Sequence, residues 1–137
     1  MQYICLVHHE EAKLNALSEA ELAALVRECV AWVEDLKKEG HHVLSAGLQS
    51  LRSARTVRER NGKLAMTDGP FAETKEFLGG FTILNASNLD EAVRLASTLP
   101  AVRVASVEVR PVLEADAELT DPLDRKIRAA MSAARHP

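Results

Sequence analysis

The sequence lacks several features that would identify a function directly. Its 137 residues include two cysteines and five aromatic residues, and the formal net charge is only −3. No stretch approaches the roughly 20 apolar residues of a membrane-spanning helix. Lysine and arginine form no basic stripe, and there is no aromatic platform on which bases would stack. We therefore expect this chain to bind neither nucleic acid nor a membrane.

The N-terminus lacks the features of a secretory signal, and the cysteines lack the pattern of a disulfide. The opening residues MQYICLVHHEE contain no basic segment followed by a long apolar run, so we expect no secretory signal and a cytoplasmic location. Cys5 and Cys29 both fall at apolar positions of their segments. This pattern favours buried thiols in a reducing compartment over a disulfide.

No motif for a cofactor, a metal or a covalent nucleophile is visible. The chain has no P-loop, dinucleotide fingerprint or nucleophile elbow, and we expect no cofactor. The histidines occur as the adjacent pairs His8-His9 and His41-His42, and neighbours on a strand point to opposite faces. We therefore expect no metal site. The sequence shows no activating base for Ser45, Ser50 or Ser53.

Apolar periodicity and turn residues predict an alternation of strands and helices in one domain. The first long helix has the clearest start, because Ser18 and Glu21 form a capping box. Asn61-Gly62 is typical of a two-residue hairpin turn. The predicted elements are a strand at Gln2–His8, a helix at Glu19–Glu39, a strand at His42–Gly47, a hairpin around Asn61-Gly62, a strand in EFLGGFTILNA, a helix at Leu89–Leu99, a strand at Val104–Val112 and a C-terminal helix beginning near Pro122.

This order of elements predicts an α+β, ferredoxin-like fold, in which two β-α-β halves share one antiparallel sheet. The two long helices then cover one face of the sheet. The first strand is nevertheless apolar on both faces, because Ile4 and Leu6 alternate with Tyr3, Cys5 and Val7. A strand of this kind is covered on both sides. We therefore predict a homodimer in which two sheets face each other around a cleft.

The segment TDGPFAETKEFLGGF, residues 67–81, resembles the signature of the DGPF branch of the YCII-related proteins. Three further segments agree with this signature, namely AGLQ, TVRERNGKLAMTDGPF and VEVRPV. The resemblance therefore covers residues 1–113, and residues 114–137 form a C-terminal helical extension outside it. It implies a ferredoxin-like, dimeric α+β barrel in cytoplasmic bacterial proteins of mostly unassigned activity. Relatives in the wider superfamily include cofactor-free isomerases, dechlorinating enzymes and small monooxygenases. DGPF proteins also tend to be encoded beside extracytoplasmic-function sigma factors.

The resemblance also implies a catalytic pair, because a His–Asp pair has been proposed for related YCII proteins. Asp68 in the motif is then the candidate acid, and His8 at the end of the first strand is the nearest candidate histidine. From its neighbours alone, Asp68 fits two roles. Its carboxylate accepts backbone N–H groups in an Asx-type turn before Gly69-Pro70, or it acts as a general base in an apolar cleft.

The candidate substrate-binding residues lie in the motif and on the last strand. Glu73 and Lys75 are two residues apart, so on an extended segment they share one side. They fit either a solvated ion pair or a cleft edge at which Lys75 binds a carboxylate or enolate. Arg110 would hold the same charge unless Glu108, on the same strand face, pairs with it. The candidate apolar walls are Phe71, Phe77 and Phe81.

A Gly79-Gly80 pair within the strand indicates a bulge or the close approach of another group. Together these features predict a small-molecule protein, either an enzyme or a binding module. As an enzyme it would carry out cofactor-free proton transfer of the isomerase or lyase type on a small apolar acid or ring compound. The alternative is a non-catalytic accessory protein that contacts a sigma factor or another partner. The C-terminal helix would then supply the contact, through a thin apolar stripe of Ile127, Met131 and Ala134, although the same stripe also fits docking on its own subunit or on the dimer mate.

Overall fold

A computed structural model describes residues 1–136 and contains the predicted elements in the predicted order. Two short 3-10 helices, Leu51–Ser53 and Pro100–Arg103, lie in the connections. The strands are β1 (Gln2–Glu10), β2 (His42–Gly47), β3 (Arg55–Arg60), β4 (Lys63–Asp68), β5 (Glu76–Asn85) and β6 (Ala105–Pro111), and the helices are α1 (Glu11–Asn15), α2 (Glu19–Lys38), α3 (Leu89–Ser97) and α4 (Pro122–Arg135).

The main sheet has the strand order β2-β5-β1-β6, and each neighbouring pair is antiparallel. This is the ferredoxin-like α+β fold that the order of elements predicted, with a helix at the C-terminus. Strands β3 and β4 form a separate hairpin. Its turn residues Asn61 and Gly62 have φ angles of 52° and 76°, and positive values at both positions are what a type I′ turn requires.

Helix α2 begins at the predicted capping box. The backbone N–H of Glu21 donates to Ser18 Oγ at 3.1 Å, and the backbone N–H of Ser18 donates to the Glu21 carboxylate at 3.0 Å. Helix α1, which directly follows β1, was not predicted. Five residues span little more than one turn, so such a helix leaves no periodic signal in the sequence.

The core lies between the sheet and the helices α2 and α3. Tyr3 and Leu84 on paired strands are almost inaccessible to solvent, as is Leu36 from α2. The indole N–H of Trp32 donates to the Leu95 carbonyl at 3.2 Å and to Thr98 Oγ1 at 2.9 Å. These bonds fix the C-terminal half of α2 against α3, and with them the crossing of the helix over the sheet.

Both cysteines are free thiols, and both contribute to this core. Cys5 is fully buried, and burial raises the pKa of its thiol to about 11. Cys29 on α2 is half-buried, and burial is also the main cause that raises its pKa. Neither group therefore carries the thiolate that makes a cysteine reactive at neutral pH.

Helices α2 and α3 leave the opposite face of the sheet without a layer of their own. Ile4 on β1 and Ile83 on β5 face each other there and are half-buried. Leu44 and Leu78 on the same face are 51% and 39% exposed. The alternation of β1 thus gives two apolar faces, as predicted. Within the described residues, no helix has both the length and the apolar character needed to cross a membrane.

Candidate functional site

A groove of about 630 Å³ lies between α2 and the sheet, and its lining on the helix runs from Leu22 to Val33. Leu22 and Val26 in the N-terminal half of the helix line this groove and remain 39% and 51% exposed. The groove therefore lies within one chain, on the helix-covered face, whereas the sequence predicted a cleft between two sheets. Most of its lining is apolar and includes Val7, Leu22, Leu25, Val26, Cys29 and Phe77.

His9 is the titratable side chain that β1 brings to this groove. It follows Tyr3, Cys5 and Val7 in the strand alternation, and its ring lies beside Phe77 with centroids 6.0 Å apart. Its Nδ1 is buried and has no hydrogen-bond partner among residues 1–136. Burial, and secondly the neighbouring His8, lower the pKa of His9 below its ordinary value of 6.5. The imidazole is therefore neutral at pH 7, and the same burial makes it a weaker base than an exposed histidine.

Gly79 makes the space that the His9 ring occupies. The pairing of β1 with β5 shifts by one residue between Val7 and His8, so Gly79 lies at a bulge. A Cβ atom at Gly79 would collide with the His9 imidazole, and one at Gly80 would lie 3.0 Å from the Ala46 carbonyl oxygen. The bulge and the close approach predicted for the glycine pair are both present. The group that approaches Gly79 is a histidine of the same chain.

Two hydroxyls form a polar part of the groove wall. Ser45 on β2 and Thr82 on β5 are paired across the strands, with Oγ and Oγ1 2.8 Å apart. The Nε2 atom of His42 lies 2.9 Å from Ser45 Oγ. The view that Ser45 has no base beside it was therefore wrong. A register shift between His42 and Leu44 brings the two side chains, three residues apart, to the same face of the strand.

The structure does not bring His8 and Asp68 together within one chain. Asp68 ends β4, its side chain is 94% exposed, and its Oδ1 lies 3.6 Å from Arg55 Nε. Within residues 1–136 its carboxylate accepts no backbone hydrogen bond, although Gly69 makes the turn with a φ of 96°. His8 points away from the groove and lies 3.6 Å from Glu108.

The motif loop is joined to β1 by Lys75. Its Nζ lies 2.7 Å from the carboxylate of Glu10, which also contacts Lys13 at 3.3 Å. The hydrogen bond from Lys75, followed by that from Lys13, lowers the pKa of Glu10, and the same contact raises the pKa of Lys75. Lys75 is thus paired with Glu10 and not with Glu73, which is exposed. The contact brings the motif to the end of β1, one residue after His9.

Of the three predicted aromatic walls, Phe77 is the one whose side chain lies beside His9. Phe71 is 77% exposed, and its carbonyl accepts a hydrogen bond from Arg58 at 2.7 Å. Phe81 borders the groove along β5, but it alternates with Thr82, so its side chain points to the opposite face.

Arg110 also lies on the opposite face, across from Ile4. It shares that face of β6 with Glu108, which contacts His8 and not Arg110. The structure therefore does not place the predicted anion-binding residue of β6 in the groove. The anion-binding role of Arg110 stays a prediction that concerns the second face of the sheet.

Sequence reasoning overlooked His9, although a signal for it was present. Side chains of a strand alternate between its two faces. His9 therefore shares a face with the apolar residues Tyr3 and Cys5, which is the helix-covered face, whereas His8 does not. The glycine pair on the neighbouring strand marked where a ring would fit. Among the described residues, no three His, Cys, Asp or Glu side chains cluster as metal ligands.

Comparisons with known proteins concern most of the chain. The sequence profile of the YCII-related domain family matches residues 1–116. An uncharacterised protein of Rhizobium meliloti (strain 1021) is 34% identical over 114 residues, which are 82% of this chain and 92% of that protein. Among solved structures, 5-chloro-2-hydroxyhydroquinone dehydrochlorinase from Burkholderia phenoliruptrix AC1100, in complex with 2,5-dihydroxybenzoquinone, aligns with 82% of this chain and 93% of its own, at 15% identity and a TM-score of 0.48. The family match contains every strand and ends before α4.

Proposed function

We propose that this chain, which belongs to the YCII-related family, binds a small, largely apolar molecule in its groove. It would transfer a proton from one atom of that molecule to another, without a cofactor. The observation that carries the proposal is the position of His9. Its imidazole is held neutral by burial and lines an apolar groove of about 630 Å³. Pockets that take small molecules have volumes of about 300–1,000 Å³ and combine apolar walls with a few polar groups.

In this proposal His9 is the proton acceptor. The imidazole takes a proton from a C–H bond beside a carbonyl or within an activated ring, and then returns it at another carbon or to a leaving group. These two outcomes correspond to isomerase and lyase chemistry. The apolar walls exclude water and destabilise the imidazolium, so it returns its proton readily, and the abstraction is restricted to C–H bonds that are already acidic. His8 and Asp68 stay sequence-based predictions for the same role.

A homodimer is part of the proposal. The support is the face of the sheet opposite the helices, where apolar side chains of β1, β2 and β5 are left partly exposed. A second copy packed on this face would bury them and would enclose Glu108 and Arg110. Sedimentation velocity would then give twice the mass of one chain. A Leu6→Glu substitution, which places a charge in the middle of that face, would give the single-chain mass.

The binding proposal is tested by thermal shift with a library of small neutral ring compounds and carboxylates. A ligand present at a hundred times its dissociation constant adds about 2.7 kcal/mol to the free energy of unfolding, which raises Tm by several degrees in a domain of this size. Val26→Trp fills the groove and is expected to remove the shift. Val30→Trp is the matched control, because Val30 is similarly exposed on α2 but does not line the groove.

The catalytic part is tested by the exchange of carbon-bound protons of a bound ligand in D2O, followed by NMR. We expect His9→Gln to abolish exchange while binding is retained, and His8→Gln to leave exchange unchanged. Loss of exchange in His8→Gln and Asp68→Asn, with exchange kept in His9→Gln, would return the role to the pair predicted from the sequence.

The second candidate function is that of an accessory protein that contacts a sigma factor. The observation that favours it is α4, in which Leu123, Ile127 and Met131 are 62%, 42% and 41% exposed. Deletion of residues 114–137 distinguishes the two functions. If the accessory function is correct, the truncated chain loses capture of a sigma factor encoded beside it and keeps its ligand response. If α4 only packs against the chain or its dimer mate, the deletion instead lowers Tm or dissociates the dimer.

A further inference from the structure

We propose that the paired hydroxyls of Ser45 and Thr82, oriented by His42, recognise one neutral oxygen atom of the ligand, a carbonyl or a hydroxyl. This inference rests on the proposed function, because it assigns a specificity-determining pair to the same groove. It narrows the ligand to a class, namely an uncharged molecule that is apolar over most of its surface and carries an oxygen at one end.

The three side chains form a continuous hydrogen-bonded chain across two strands. His42 Nε2 lies 2.9 Å from Ser45 Oγ, which lies 2.8 Å from Thr82 Oγ1. Thr82 is only 7% exposed, and both hydroxyl residues line the groove. Buried polar groups are costly unless they are hydrogen-bonded. Ser45 and Thr82 therefore form a local polar site in a groove whose other polar lining residues are His9, Gln49 and Ser50.

His42, Ser45 and Thr82 do not use all of their hydrogen-bonding capacity on one another. Each hydroxyl has one proton to donate and two lone pairs. If His42 Nε2 carries its proton, it donates to Ser45, Ser45 donates to Thr82, and the Thr82 proton is left for a carbonyl oxygen. If Nε2 is unprotonated, Thr82 donates to Ser45 and Ser45 donates to His42, which leaves the lone pairs of Thr82 for a hydroxyl. In both arrangements Thr82 keeps a proton or a lone pair for the ligand, and Ser45 keeps one lone pair.

The absence of charge in the groove lining favours a neutral ligand. No Lys, Arg, Asp or Glu belongs to the lining within residues 1–136. A carboxylate bound there would lose its hydration without gaining a cation, which is unfavourable in an apolar site. A carbonyl or hydroxyl group loses less hydration and recovers a hydrogen bond from Thr82. This changes the expectation from the sequence, which included a small apolar acid.

The test uses ligands that differ by one oxygen. Dissociation constants are measured by ligand-detected NMR for 2-decalone and its isostere 2-methylidenedecalin, for 2-decalol and 2-methyldecalin, and for decalin-2-carboxylate. We expect the wild-type protein to bind each oxygen compound about two- to tenfold more tightly than its hydrocarbon isostere, which is the range of one net hydrogen bond. The carboxylate is expected to bind most weakly.

Substitutions then assign the preference to the hydroxyl pair. Thr82→Val keeps the shape of the side chain and is expected to remove the preference while the hydrocarbons bind as before. Ser45→Ala leaves the Thr82 hydroxyl in place without its partner and is expected to reduce the preference. Ser106→Ala is the matched control, because Ser106 is an exposed hydroxyl on the opposite face of the sheet. It is expected to keep the preference.

The outcomes separate this inference from the proposed function. Suppose that the wild-type protein binds an oxygen compound and its isostere equally, and that Val26→Trp abolishes the binding of both compounds. The groove then binds ligands, but the hydroxyl pair does not contribute to their recognition. The inference is also overturned if the full preference survives in Thr82→Val, or if the carboxylate binds best. If no compound binds, the proposed function fails and this inference fails with it.

Discussion

The two halves of α2 differ in how closely they pack on the sheet. In the C-terminal half, Trp32 and Leu36 are 7% and 3% exposed, and the indole is hydrogen-bonded to α3. In the N-terminal half, Leu22 and Val26 are 39% and 51% exposed, although they continue the same apolar stripe. One helix thus packs closely in the core at its C-terminal end and leaves apolar side chains partly exposed in a groove at its N-terminal end.

The difference shows that an apolar stripe has two uses within one helix. At the packed end, apolar side chains contact each other, and their burial stabilises the fold. At the open end, side chains of the same kind remain partly in water, which costs stability unless a ligand covers them. His9 lies at the open end, where Gly79 leaves space for its ring. The groove is therefore most open along the N-terminal half of α2, whereas Trp32 in the C-terminal half borders the groove and belongs to the core.

The largest effect is expected from shortening the same residue type at the two ends. Leu36→Ala removes a buried side chain and leaves a cavity, so it is expected to lower the free energy of unfolding by about 2–5 kcal/mol. Leu22→Ala removes a side chain that already meets solvent, and its cost is expected to stay below about 1 kcal/mol. Urea denaturation of both variants measures the difference. Equal costs would mean that the groove is closed in solution.

A smaller effect is expected at the glycine beside the histidine. Gly79→Ala places a methyl group where the His9 ring lies and is expected to cost about 1–3 kcal/mol, as overpacking does. Gly47→Ala is the matched control, because a Cβ there meets nothing within 4 Å. In a His9→Ala background, Gly79→Ala is expected to cost less, by at least about 0.5 kcal/mol. The same cost in both backgrounds would show that Gly79 does not serve to place the ring.

Much of the fold was predictable because its signals are local. The capping box of Ser18 and Glu21, the Asn61-Gly62 turn and the alternation of β1 each depend on neighbouring residues, and each appears where it was expected. Helix α2 was predicted to begin at Glu19 and does so. The two apolar faces of β1 followed from the same local pattern.

The site was less predictable because it depends on contacts between distant segments. Lys75 pairs with Glu10, 65 positions earlier in the chain, and not with Glu73. Two register shifts, at Val7/His8 and at His42/Leu44, decide which side chains share a face. A one-residue slip moves a side chain to the other face. The glycine pair marked the first shift, but no local pattern marked the second. The motif drew attention to Asp68, whereas the groove is built around a histidine outside the motif.

The smallest effect is expected in the pH dependence of stability, and it separates the two adjacent histidines. Burial lowers the pKa of His9 below 6.5, so the folded chain binds this proton less readily than the unfolded chain. Stability then falls as pH decreases from about 6.5 toward the folded-state pKa, and is unaffected by this group above 6.5. Urea midpoints between pH 5 and 8 are expected to fall less steeply toward acid in His9→Gln than in the wild-type protein. His8→Gln removes a positive neighbour but keeps the buried ring, so it is expected to retain most of the acid-side loss. If His8→Gln flattened the profile and His9→Gln did not, the buried imidazole would be the wrong member of the pair, and the open end of α2 would lose its proton acceptor.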